Sequence, residues 1–153
     1  MAIGDHQVGA VGGNVRLVMV TWDFDERGKI PNAVTPTGFI MPKDAIHFAG
    51  LLITTNPPAS ASGNIEVGWL ATDQSLRPPG SQVGVGVEVA DRNGFETIST
   101  AFQQRRFTRM APDTAVHGKR FQSDVEITLY SANTAGSTQS TGQLYIFLEY
   151  ILT

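Results

Sequence analysis

Residues 142–152 read GQLYIFLEYIL, and alternate positions of this stretch fall on opposite faces of an extended chain. One face is entirely apolar or aromatic and consists of Leu144, Ile146, Leu148, Tyr150 and Leu152. The other face consists of Gln143, Tyr145, Phe147, Glu149 and Ile151. A period of two predicts a β-strand whose first face lies in a core. The large side chains of the second face indicate that something else covers it.

Four further stretches have the composition and the bounding turn residues of strands. They are Asn14–Trp22, Ala45–Thr55, Gly63–Thr72 and Asp124–Tyr130. Asn14–Trp22 is apolar at both alternating sets of positions, so we expect both of its faces to be covered. In Gly63–Thr72, Trp69 alternates with core residues, so we expect its indole to be buried.

Proline and glycine divide the rest of the chain. Pro31 and Pro36 interrupt Lys29–Met41, which therefore predicts a loop and an edge strand. Ser81–Val89 alternates valine with glycine and glutamate, and Arg92-Asn93-Gly94 follows it. That tripeptide is typical of a hairpin turn, with a return strand beginning near Phe95.

The pattern of elements predicts an all-β fold. No segment sustains a helical period, and strands recur at roughly 10-residue spacing between Pro/Gly turns, which favours an antiparallel two-sheet sandwich of jelly-roll type with about eight strands. We expect residues 14–153 to form this single domain. Residues 1–13 are rich in glycine and alanine, and predict a flexible, irregular N-terminal arm.

The composition narrows the possible functions. With no cysteine among its 153 residues, the chain has no disulfide framework and no thiolate metal site. Its 11 Lys+Arg against 14 Asp+Glu give a net charge of −3, so direct nucleic-acid binding is not expected of the chain as a whole. Charged residues are only 16% against 41% hydrophobic ones, which favours a surface suited to contact with protein.

Targeting signals are not evident in the sequence. Asp5 lies where a secretory signal would carry basic residues, and no uncharged stretch approaches the ~18 apolar residues of a membrane span. We therefore expect a product of the cytoplasm without membrane attachment.

Two groups of residues invite a chemical reading. Asp23, Asp25 and Glu26 resemble the start of a calcium loop, but Arg27 and Val34 occupy later ligand positions, which favours a solvated turn. The histidines, at positions 6, 47 and 117, are far apart and lack ligand spacing, and His47 is expected inside the protein. We predict no catalytic residue, no metal, no cofactor and no enzymatic activity.

One short span concentrates positive charge. It contains Arg105, Arg106, Arg109, His117, Lys119 and Arg120. An acidic protein partner, nucleic acid and ordinary surface ion pairs all remain possible readings, although no RNA-binding signature surrounds the span.

The outward residues of the last strand are candidates for contact between subunits. They are Tyr145, Phe147 and Ile151, and Trp22 in Asn14–Trp22 is a further candidate. The alternative is that the N-terminal arm or the loop at 29–42 covers them.

These features together resemble one protein family. A cysteine-free domain with a glycine-rich arm, Pro/Gly-punctuated strands, Thr/Ser/Gln-rich loops and the final strand GQLYIFLEYIL is similar to the jelly-roll head-decoration, or cement, proteins of tailed bacteriophages. Other viral capsid jelly rolls share this texture.

The resemblance implies a homotrimer on the capsid exterior, made in the host cytoplasm, that stabilises the shell by bridging major capsid proteins. The arm would become ordered on the shell, and the cations would contact acidic capsid surface: Arg105, Arg106, Arg109, Lys119 and Arg120.

Other roles remain open. A carbohydrate-binding jelly roll would stack sugar rings on Trp22, Trp69 or Tyr145, and a phage tail or fibre component would share the same strand pattern. A cupin-like enzyme would need converging histidines and carboxylates, a spacing that this chain lacks.

Overall fold

The computed structural model describes residues 5–12, 14–58, 63–77, 90–98, 103, 106–109, 120–131 and 140–153, with only the backbone at residues 5–12, 90 and 91. The described strands are β1 (Asp5–Gly12), β2 (Val15–Asp23), β3 (Thr35–Met41), β4 (Ile46–Thr54), β5 (Ile65–Ala71), β6 (Ala90–Ile98), β7 (Phe107–Arg109), β8 (Val125–Ser131) and β9 (Gln143–Ile151). One helical turn, α1 (Phe24–Arg27), and a 3₁₀ turn at Gln74–Leu76 are the described helices. Neither is long enough to cross a bilayer.

The strands form two antiparallel sheets with the topology of a rolled hairpin. Sheet 1 has the order β1-β2-β9-β4-β7, and sheet 2 has the order β3-β8-β5-β6. Pairing is nested, since β2 pairs with β9, β3 with β8, β4 with β7 and β5 with β6. A long hairpin folded over in this way is a jelly roll, so the predicted sandwich is confirmed.

Strand β1 corrects the expectation of an irregular segment over residues 1–13. Asp5–Gly12 pairs antiparallel with the edge of β2, from Asp5 opposite Thr21 to Gly12 opposite Val15. Small residues do not prevent this pairing because a ladder joins backbone groups, and β2 would otherwise leave its edge donors and acceptors without partners. The flexibility of the arm and its separation from the domain remain predictions.

The core lies between the sheets and contains the alternating residues of both. Its largest fully buried side chains include Trp69, Phe24, Phe121 and Met41. The indole of Trp69 packs edge-on against Phe95 and Phe121, with ring centroids 5.0 and 5.1 Å away. The expected burial of Trp69 is confirmed.

The hairpin expected at Arg92-Asn93-Gly94 is wrong. These residues lie inside β6, where the register shifts from Val67 opposite Glu96 to Trp69 opposite Asp91. The extra residues form a bulge, which brings the backbone of Gly94 against the ring of Trp69. The glycine is therefore needed because the ring approaches the backbone closely, and not because the chain turns. The strand expected at Ser81–Val89 lies outside the described residues.

Strand β3 confirms the edge strand expected within Lys29–Met41. Among the described strands it lies at the margin of sheet 2 and pairs with β8 alone, and it contains Pro36 next to an irregularity between Pro36 and Ile40. An edge position tolerates a residue that cannot donate a ladder hydrogen bond.

Candidate interaction surface

The outer face of sheet 1 carries aligned rows of apolar side chains. Residues Val18, Val20 and Trp22 of β2 and the even-numbered residues of β9 point into the core, so the alternate residues point outward. Strand register sorts the outward residues into four rows: Val15, Ile151 and Ile46; Leu17, Glu149 and Ala49; Met19, Phe147, Leu51 and Arg109; Thr21, Tyr145, Ile53 and Phe107. We call this set the outer face of sheet 1.

Most of the described side chains on this face are apolar and at least partly exposed. Its β2, β9 and β4 residues are half-buried by their neighbours, whereas Phe107 on the edge strand β7 is 58% exposed. Glu149 and Arg109 are its charged members. A continuous apolar sheet face of this kind marks an interaction surface more strongly than single exposed hydrophobes do.

The structure places the three β9 candidates together on this face. Tyr145, Phe147 and Ile151 occupy three different rows, each flanked by residues of β2 and β4. Their contact with another subunit remains a prediction.

Trp22 is not on this face, which corrects its choice as an interface candidate. Its side chain is only 3% exposed in the core, and its indole Nε1 donates a hydrogen bond to the carbonyl of Gly28 at 2.9 Å. Alternation assigns Trp22 to the same side of β2 as Val18 and Val20, and the sequence alone did not tell which side faces the second sheet.

The described cations are spread along one edge of β4 and do not form a compact patch. Arg120 forms an isolated β-bridge with Ile46 near the start of β4, and Arg109 is the register partner of Leu51. At the end of β4, the backbone N–H of Thr54 donates a hydrogen bond to the carbonyl of Arg106. At about 3.3 Å per residue the series spans about 25 Å. Arg105 and Lys119, also predicted, lie outside the described residues, as does the side chain of His117.

Two of these three cations are held by their own chain. Arg106 donates to the carbonyl of Thr55 at 2.8 Å, and Arg120 forms an ion pair of 3.0 Å with Asp44. Arg109 is exposed, and its guanidinium has no hydrogen bond or ion pair with any residue that the structure describes. Of the three described cations, it is therefore the one most available to a partner.

Sheet 2 differs because charged residues on it pair within the chain, although the buried hydroxyl of Thr128 has no hydrogen-bond partner. Every residue of β5 is buried, including Glu66, whose carboxylate lies 2.7 Å from Nε of Arg92 in an ion pair that is poorly aligned for a hydrogen bond. The Arg92 guanidinium lies over the ring of Tyr130 at 4.5 Å. On the neighbouring strand β8, burial raises the pKa of Glu126, and the positive charge of Arg77 acts in the opposite direction to lower it.

The acidic residues at 23–26 organise the chain locally. The Asp23 carboxylate accepts from Nε2 of Gln143 at 3.2 Å and from the backbone N–H groups of Glu26 and Asp25 at 3.1 and 2.9 Å. These bonds, that of Gln143 first, lower the pKa of Asp23 from its ordinary value. Asp23 thus caps α1 and ties it to β9.

The residues considered for catalysis do not converge in the described part of the chain. His47 is buried as expected, with Nδ1 3.1 Å from the carbonyl of Glu149 and its ring edge-on to Phe95. The side chains of His6 and His117 lie outside the described residues. Among those described, no three histidine, aspartate or glutamate side chains are grouped as metal ligands.

Several residues of the outer face were not singled out from the sequence. They are Leu17, Met19, Leu51, Ile53 and Phe107. Their signal was present, because Asn14–Trp22 and Ala45–Thr55 are apolar at both sets of alternate positions. Only the register of β2, β9 and β4 shows that these positions meet on one surface.

Comparison with known proteins identifies a shared fold. The chain matches no protein-family model and no curated protein. A chain of a solved structure titled "Capsid of Ralstonia phage GP4" superposes with a TM-score of 0.63 over 96% of this chain and 90% of that one. The two sequences are 14% identical, so the likeness concerns the fold.

Proposed function

We propose that this chain is a structural protein of a phage virion that binds the exterior of the capsid as a decoration or cement protein, acting as a homotrimer and without enzymatic activity. The observation that carries the proposal is the apolar outer face of sheet 1, borne on the jelly roll that the chain shares with a phage capsid chain. An assembly protein needs such a face, because apolar contact supplies most of the free energy of association.

The surface divides into two kinds of contact under this proposal. The apolar rows at Tyr145, Phe147 and Ile151 meet sister subunits, and Arg106 and Arg120 beside β4 meet acidic groups of the major capsid protein. Arg106 and Arg120 suit the second role because bonds to Thr55 and Asp44 hold them in place. A cation held in position loses less side-chain entropy on binding.

A carbohydrate-binding role has less support than the virion role. Trp69 and Trp22 are 2% and 3% exposed, so neither ring presents a face for a sugar to stack on. Of the three aromatic residues considered for that role, only Tyr145 lies on an outer face.

Co-sedimentation with capsid shells tests the proposal. Shells are assembled from the major capsid protein encoded in the same genome, mixed with the purified chain and pelleted. We expect the chain to pellet with the shells and to saturate at a fixed ratio. A chain that stays in the supernatant at all concentrations would overturn the proposal.

Matched charge variants test the assigned contacts. Arg106→Ala and Arg120→Ala should each weaken shell binding about two- to fivefold, with a smaller effect at high salt. Lys29→Ala removes the same charge from an exposed site far from β4 in sequence and should leave binding unchanged. Equal effects of all three variants would count against the assigned surface.

A further inference from the structure

We propose that the outer face of sheet 1 is occupied by a second copy of this chain, whose edge strand β7 lies across it so that Arg109 of that copy pairs with Glu149. The inference rests on the proposed function for its setting in an assembled virion. It adds the strand of the sister subunit that makes the contact and the residue pair that sets its register.

Glu149 is the first reason. Its neighbours in register are Leu17 and Ala49, and Phe147 and Ile151 flank it along β9, so its carboxylate lies in an apolar surface. No residue that the structure describes forms an ion pair or hydrogen bond with this carboxylate. A partner covering the face without a cation would bury an unpaired charge, which is costly. The occupant must therefore bring a positive group.

Arg109 is the second reason. It is exposed, it has no partner among the described residues, and it lies at the margin of the same sheet, on the edge strand β7. Its planar guanidinium can form two parallel hydrogen bonds to a carboxylate. The chain thus carries the group that its own apolar face requires.

The spacing of side chains on β7 matches that on β9. Phe107 and Arg109 point to one side of β7, since Thr108 between them is buried, and lie about 6.8 Å apart. Phe147 and Glu149 have the same spacing on β9. When Arg109 of one copy meets Glu149 of the next, the exposed Phe107 ring reaches an apolar neighbour of Glu149.

Arg109 and Glu149 lie on the same face of the chain. Two copies related by a two-fold axis would form the pair twice, whereas in a ring the β7 margin of each copy meets the centre of the next copy's face. A trimer is the small ring that agrees with the proposed function.

Cysteine pairing provides a direct test because the chain has no cysteine of its own. Arg109→Cys and Glu149→Cys are made separately, mixed by joint refolding and oxidised. Within one copy these positions are two strands and one row apart, about 12 Å between Cα atoms, which is beyond the ~7 Å limit of a disulfide. We expect covalent dimers from the mixture, few from either variant alone, and a ladder ending at trimer from the double variant.

Charge reversal gives an independent readout in solution. By size-exclusion chromatography with light scattering, Arg109→Glu and Glu149→Arg should each raise the dissociation constant at least tenfold, and the double reversal should restore it to within about threefold of wild type. Lys29→Glu, which reverses one charge at an exposed residue outside the outer face of sheet 1, serves as the control and should change it less than twofold. Circular dichroism confirms that each variant is folded.

The outcomes separate the two proposals. A wild-type chain that stays monomeric, or a cysteine mixture with no more dimer than the single variants, overturns the inference, and binding of that chain to shells would leave the capsid-binding part of the proposed function standing. Paired cysteines together with a chain that ignores shells would support the inference and overturn the proposed function.

Discussion

The indole of Trp69 occupies the space in which a side chain at position 94 would lie. A Cβ placed on Gly94 would be 2.2 Å from both Cη2 and Cζ3 of Trp69, far closer than carbon atoms approach without displacement. The bulge in β6 and the burial of the largest core side chain therefore depend on each other. The absence of a side chain at Gly94 permits the packing of Trp69.

Gly94→Ala should lower the free energy of unfolding by about 1–3 kcal/mol, because the ring contacts Phe95 and Phe121 and cannot shift without disturbing them. Chemical denaturation measures the change. Trp69→Phe supplies the control: in the Gly94→Ala background it should cost less than in the wild-type background, since the smaller ring relieves the clash. Additive effects of the two substitutions would contradict this account.

Trp22→Phe should destabilise the fold without changing the oligomeric state. The substitution removes the hydrogen bond from Nε1 to the carbonyl of Gly28 and leaves a gap beside the buried ring, so we expect a loss of about 1–3 kcal/mol. Denaturation and light scattering on one sample measure both quantities. A monomeric product with unchanged stability would restore Trp22 as an interface residue.

Phe107→Ser should weaken self-association at least tenfold while the stability of the single chain changes little, because the ring is 58% exposed on the outer face of sheet 1. Ile40→Ser is the matched control, since Ile40 is 48% exposed on edge strand β3 of the other sheet. Analytical ultracentrifugation of both variants compares them. Equal losses of association would show that general exposed apolar area drives assembly.

Asp23 should contribute stability that depends on pH. Its folded pKa is lowered, so its stabilising contribution is complete above the ordinary carboxyl pKa of 3.8 and is lost as the pH falls through the lower folded value. Asp23→Ala should therefore be less stable than wild type at neutral pH, with the difference shrinking in strong acid. Asp23→Asn keeps a capping acceptor but should lose the pH dependence. Denaturation midpoints measured between pH 2 and pH 7, a range that includes the ordinary carboxyl pKa of aspartate, test both variants.

Local sequence patterns predicted the elements that depend on alternation and on chain breakers. β9, β5 and β8 follow the period of two, and β3 is an edge strand because Pro36 cannot donate to a ladder. The same local reasoning was wrong at Arg92-Asn93-Gly94, because a turn signal describes only its own residues and Trp69 is distant in sequence. It also missed β1, whose pairing depends on the exposed edge of β2.

The sequence by itself determined the fold class, the burial of Trp69 and His47, and the outward position of Tyr145, Phe147 and Ile151, because side-chain alternation on a strand is a local property. Only the tertiary structure decided that these residues join Leu17, Met19 and Leu51 on one surface, that Trp22 faces the core, and that the basic residues separate along β4. Strand register and the choice of inner face arise from contacts between residues distant in the chain, and no local pattern encodes them.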